Sequence, residues 1–150
     1  MTALRPLAAA GLVVLAACAG RSPVAQFPRP TSPEATVEQF LAAVNADDLR
    51  RMSELFGDQR GPSVGYMTDA ARRDSIMAVL QHVLAADSSR VTGMESIPAR
   101  RDWRLVHVEM VQGDRRTEVP FTVLPWRGSW LVQQIDIMPL LPGGHSQSAP

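Results

Sequence analysis

The sequence predicts an α+β domain: three helices followed by a curved antiparallel sheet of about four strands. Three observations predict it. Apolar residues recur at helical spacing from Val37 to Leu84 and at every second position after Arg90, and a change of period from 3.6 to 2 marks a change from helix to strand. The pairs Gly113-Asp114 and Arg127-Gly128 separate the later apolar runs, and connections this short join antiparallel neighbours. The chain has 150 residues, 45% of them hydrophobic, enough for one core and hardly two.

The first helix opens at Ser32, a capping residue, with Pro33 at the first position and Glu34 in the first turn. The missing proline N–H would be unpaired there in any case, and a carboxylate favours the positive helix start. Val37, Phe40, Leu41 and Val44 then fall on one face. After the polar break Asn45–Asp48, Asp47 or Asp48 caps a second short helix bearing Leu49, Met52, Leu55 and Phe56, and Gly57 ends it. Gly61-Pro62 marks a loop. A third helix starts near Thr68 or Asp69, with Ile76, Val79, Leu80, Val83 and Leu84 as its expected buried stripe, and Asp87-Ser88-Ser89 closes it.

The strands follow as Val91–Ile97, Trp103–Gln112, Arg115–Leu124 and Trp130–Met138. Val106, Val108 and Met110 share one face, as do Val119, Phe121 and Val123, and Ile135 and Ile137 alternate with Gln134 and Asp136. Pro120 cannot donate to a ladder, so it predicts an edge position or a bulge.

The two ends read differently. Arg5 precedes an apolar run from Leu7 to Ala17. That run falls short of the ~20 residues a membrane-spanning helix needs, and has the layout of a secretory signal peptide. Leu15-Ala16-Ala17-Cys18, which holds the one cysteine of the chain, resembles the bacterial lipobox. The resemblance implies that Cys18 is lipid-modified and becomes the first residue of the mature chain. Two or three acyl chains, as in lipoproteins of this type, anchor stably where one binds only reversibly. Ala19 stands where an Asp would retain an enteric lipoprotein in the inner membrane, which favours the outer membrane where the source has two. Residues 1–17 are therefore expected to be the signal peptide, 18–31 the lipidated Cys18 and a proline-rich tether, 32–138 the folded domain, and 139–150, with His145, a loose tail.

Composition excludes several classes. Fifteen basic residues, all arginine, balance fifteen acidic ones, so no net positive charge draws the chain to nucleic acid. The arginine pairs at 50/51, 72/73, 100/101 and 115/116 each have an acidic neighbour, which reads as a mixed solvated surface. One cysteine permits no internal disulfide, and three histidines without an H-x-x-x-H spacing make no zinc motif. No cofactor-binding glycine motif, P-loop or nucleophile elbow occurs, so neither cofactor nor metal is expected.

The opening SPEATVEQFLAAVNADDLRRMSELF, a helix, a polar break and a second helix running to Phe56, resembles the start of an NTF2-like (cystatin-cone) domain. Gly128-Ser129-Trp130-Leu131-Val132 with Ile135 resembles that family's last strand. The resemblance implies a cone whose mouth can bind small apolar molecules, and it extends to small lipoproteins of unknown function. Some relatives are ketosteroid-isomerase-like or cyclase-like enzymes that use an Asp or His, sometimes with a Tyr, inside the cone.

Candidates for such chemistry are His107 and Glu109, two apart on one strand face, with Asp136 on the corresponding face of the last strand. Val106, Val108 and Met110 occupy the opposite, core-facing side, so these polar residues are expected to point away from the helices. His82 flanks the stripe of the third helix and reads as a hydrogen-bonded structural residue. Tyr66, Trp103, Trp126 and Trp130 are the candidate ligand- or partner-binding residues. The expected function is thus a non-catalytic, lipid-anchored envelope module that binds a protein partner or a small apolar ligand, with a homodimer through the sheet as a further possibility. The alternative is a small isomerase- or cyclase-like enzyme using His107 with Glu109 or Asp136.

Overall fold

The computed structural model describes residues 28–143. The signal segment 1–17, Cys18, most of the tether and His145 lie outside the described residues.

Capping side chains fix the helix starts. Ser32 accepts the Ala35 N–H at 3.1 Å and opens α1, Pro33–Asn45. Asp48 accepts the Arg51 N–H at 2.8 Å and opens α2, Leu49–Leu55. Asp69 accepts the Arg72 N–H at 3.0 Å and opens the long helix α4, Ala70–Leu84. Each cap satisfies an otherwise orphaned donor of a first turn.

Residues 57–66, expected as a loop, hold more structure. Gly57–Asp58 (β1) and Gly61–Pro62 (β2) pair antiparallel, and Ser63–Tyr66 form one helical turn, α3. Two glycines permit the hairpin, because a Cβ on Gly57 would overlap the Gly61 carbonyl. Ser63 then ties it to α2: its N–H donates to the Phe56 carbonyl at 2.7 Å and its buried hydroxyl to the Ser53 carbonyl at 2.9 Å.

The sheet is a meander in the order β3 (Ser88–Ile97), β4 (Arg100–Gln112), β5 (Arg115–Trp126) and β6 (Ser129–Ile135), every pair antiparallel. The expected helices-then-meander order is the one observed. The first strand begins at Ser88, three residues before the apolar alternation, because Ser88 pairs with Val111. Pro120 sits opposite His107 on a strand with two neighbours, yet β5–β6 pairing stops at Phe121–Ile135. The proline thus stands where β5 becomes an edge, and a register shift follows at Thr122/Val123.

α1 crosses all four strands, with α2 and α4 packed against it. Val37, Phe40 and Val44 from α1 meet Val106, Val108, Val119, Phe121, Val123 and Val132 from the sheet, all fully buried. The Phe40 and Phe56 rings stand 6.2 Å apart, tilted. The inner sheet face is therefore filled by side chains.

α4 corrects one expectation. Its inward line runs through Met77, Leu80 and Leu84, while Ile76 is 37% and Val79 60% exposed. At 100° per residue Val79 points nearly opposite Met77, so the stripe that the aliphatic spacing suggested is rotated. The last strand is a second difference. It ends at Ile135, and Met138–Leu140 form a 3-10 turn that buries Leu140 to 6% exposure. The Arg115 guanidinium donates to the Pro139 and Leu140 carbonyls at 3.2 and 3.3 Å. The folded region thus continues past Met138, because a leucine can still be buried there.

Candidate functional site

A groove of about 710 Å³ opens between α2, the β1–β2 hairpin, the β5–β6 turn and the incoming segment 28–30. Pro28 and Pro30, Leu55, Val64, Trp126 and Trp130 give it apolar walls. Asp48, Arg50 and Glu54 supply charge from α2, and Arg29 from the incoming segment. Arg50 and Arg51 both reach Glu54, at 3.3 and 3.2 Å. The buried Ser129 hydroxyl donates to the Pro30 carbonyl at 2.9 Å, which holds the incoming segment against the β5–β6 turn. Apolar walls with a few polar groups are the usual composition of a ligand cleft.

Of the expected binding residues, Trp126 and Trp130 line this groove and Tyr66 and Trp103 do not. Tyr66 closes α3 beside the hairpin, where the Arg60 guanidinium lies 4.0 Å from its ring centroid. Arg60 also donates to Asp58, through Nη2 at 2.7 Å and Nε at 3.1 Å. Those hydrogen bonds hold the Asp58 carboxyl below its ordinary range and raise Arg60 above its own. Burial, then the Asp58 charge, push the Tyr66 phenol up. The three form a surface clamp on the β1–β2 turn. Trp103 starts the regular part of β4, with the Arg100 guanidinium 4.3 Å from its ring centroid.

The acid–base candidates His107, Glu109 and Asp136 each find partners other than one another. His107 lies on the outer sheet face, its side chain 27% exposed, and both ring nitrogens are engaged: Nδ1 with Glu118 and Nε2 with Glu95, each at 3.1 Å. Glu109 engages Arg90 at 3.0 Å and Arg116 at 3.2 Å. Asp136 accepts the Met138 N–H at 3.1 Å. His107 therefore meets neither Glu109 nor Asp136. Register supplies the reason. The residues opposite His107 are Gly93 and Pro120, neither of which offers a polar side chain, so the ring reaches diagonal neighbours two residues along each flanking strand. The result is a pair of cross-strand triads, acid–base–acid around His107 and base–acid–base around Glu109, on a solvated face. Among the described residues no group of three or more His, Cys, Asp and Glu is arranged to hold a metal ion.

Sequence reasoning missed Glu95 and Glu118 as the partners of His107, and Asp58 and Arg60 as the partners of Tyr66. The polar alternation of β3 and β5 signals an outer face but not which residues meet across it, which depends on register.

The fold and groove define an α+β domain with helices on one face of a four-stranded antiparallel meander and a cleft at one margin of that packing. No family model matches the chain, and no curated protein does. Among solved structures it is similar to an NTF-2-like protein of unknown function from Silicibacter pomeroyi DSS-3, with 21% identity over 67% of this chain and 90% of that one and a TM-score of 0.43.

Proposed function

We propose that the chain is a lipid-anchored cell-envelope protein whose NTF2-like module binds a protein partner or a small ligand and catalyses no reaction. The observation that carries the reading is the Trp126–Trp130 groove. It is a concave surface of the domain with apolar walls and charged groups, while the inner sheet face is packed solid and His107 is committed to Glu95 and Glu118. The anchor rests on Leu15–Cys18 after a short apolar run, and Ala19 supports the outer membrane where there are two. A groove within a tether's length of the bilayer suits an envelope partner.

A photo-reactive phenylalanine analogue at Val64, which lines the groove and is 39% exposed, tests the binding surface in intact cells. The expected result is one discrete adduct from Val64 and none from the same analogue at Thr92 on the outer face, with loss of the Val64 adduct on Trp130→Ala. Equal labelling from both positions would refute the groove as the binding surface. Radioactive fatty acid should label the wild type and spare Cys18→Ala; label kept by the variant would refute the anchor.

A further inference from the structure

We propose that one end of the sheet is a membrane-docking tip that seats on an anionic phospholipid surface. This rests on the lipid anchor proposed at Cys18.

All three tryptophans of the chain collect at that end. The antiparallel order puts the start of β4, the end of β5 and the start of β6 side by side, as Arg104 pairs with Val123 and Val123 with Val132. Trp103, Trp126 and Trp130 therefore flank the two hairpin turns, β3–β4 and β5–β6, which both point the same way. Tryptophan is the residue whose ring best suits the boundary between headgroups and acyl chains.

The arginines there are arranged for phosphate. Arg29 and Arg127 share the Trp126 ring, their guanidinium carbons 5.5 and 5.0 Å from its centroid. Arg100 stacks over Trp103, and Arg101 follows it at the start of β4. None of these four is ion-paired with another described residue. Asp102 is the one acid within the segments 28–30, 98–104 and 125–130. The tips are also built firmly. Arg127 and Gly128 both have positive φ, 47° and 76°, as a two-residue hairpin turn of the primed kind requires. Arg104 donates to the Arg101 and Trp103 carbonyls at 2.7 and 2.8 Å. Over the whole chain charge cancels, so this local excess of cations is a property of placement.

The tether fixes the occupant. The segment that leads back to Cys18 is clamped on this same end by the Ser129–Pro30 hydrogen bond. Cys18 and Pro28 are ten residues apart, at most about 36 Å of chain. A tether this short holds the tip at a high effective concentration against the headgroups, so individually weak contacts between arginine and lipid are populated.

The test uses the full lipidated protein, purified and reconstituted into vesicles of brominated phosphatidylcholine with or without phosphatidylglycerol. Every tryptophan reports on the tip, so bromine quenching of intrinsic fluorescence reads docking. Quenching is expected to be about twofold or more stronger with phosphatidylglycerol, and the contrast to fall as salt rises. The exposed-residue variant Arg100→Gln/Arg101→Gln/Arg127→Gln should lose it. Equal quenching in the two lipids, a contrast indifferent to salt, or one kept by the triple variant would overturn the proposal. The salt titration stands on the wild type alone, so it decides even where the variant folds poorly. Mass spectrometry of the same preparation reads Cys18. An unmodified cysteine overturns the anchor, whereas a lipidated chain without lipid contrast overturns the docking alone.

Discussion

Gly61 lies against the Trp126 indole: a Cβ on Gly61 would stand 2.8 Å from Trp126 Cζ2. The contact joins the β1–β2 hairpin to the end of β5 and forms one corner of the groove. Gly61 also holds φ at +122°, where a side chain is strained whatever the space. Gly61→Ala is expected to destabilise the fold by about 1–3 kcal/mol, from strain and overlap together. Adding Trp126→Phe should recover part of that loss, the part due to overlap. Chemical denaturation of the single and double variants measures it, and full recovery would mean the backbone carries no strain.

The rotation of α4 predicts opposite costs for two neighbouring aliphatics. Met77 is fully buried and Val79 is 60% exposed. Met77→Ala should cost about 2–5 kcal/mol, and Val79→Ala should stay within about 0.5 kcal/mol. Thermal melts of the two variants separate them, and a larger loss at Val79 would reverse the orientation of the helix.

The Asp58–Arg60–Tyr66 clamp predicts a pH dependence with two limbs. The Asp58 carboxyl is held low by hydrogen bonds from Arg60. Its contribution is therefore present above the ordinary aspartate value and is lost as pH falls through the lowered one. The Tyr66 phenol is raised by burial and by the Asp58 charge. Its contribution is present below the ordinary tyrosine value and is lost as pH rises through the raised one. Denaturation midpoints against pH should lose part of their acid limb in Asp58→Asn and part of their alkaline limb in Tyr66→Phe. Unchanged profiles in both variants would show that the clamp adds nothing to stability.

The His107 triad predicts a small structural effect and no functional one. Its two contacts to Glu95 and Glu118 are exposed, and surface changes of this kind usually shift stability by about 0.5 kcal/mol, so His107→Ala should lower stability modestly. It should leave the Val64 crosslink intact. Loss of that crosslink with the fold preserved would tie His107 to binding.

Burying a charge without a partner is costly, and Val108 and Phe121 face each other's strands at zero exposure. Val108→Asp and Phe121→Asp should each abolish cooperative unfolding at ordinary temperature, read by circular dichroism. Tolerance of both would place the core on the other sheet face.

Much of the fold was legible because period and punctuation act locally. Ser32, Asp48 and Asp69 cap helices as their chemistry suggests, and the face of β4 that carries Val106, Val108 and Met110 is the buried one. What escaped depends on contacts distant in sequence. Met77 outranks Val79 only because α4 leans on α1 and α2 along one line. The pairing of His107 with Glu95 and Glu118 follows from Gly93 and Pro120 standing opposite it, a matter of register. The groove escaped for the same reason: Arg29 and Trp126 are far apart along the chain and meet only once Ser129 has clamped Pro30.

A sheet in which every strand pairs with its chain neighbour can form hairpin by hairpin, without a long search. The helices enjoy no such independence. α1 is made first during synthesis, yet its apolar face rests on all four strands, the last of which ends at Ile135. The nascent chain thus carries an unsatisfied helix for nearly its whole synthesis, open to chaperones and still able to be threaded. Ribosome-stalled chains that lack Ser129–Ile135 should be digested readily by protease, and chains followed by an added linker long enough to bring that strand out of the exit tunnel should resist.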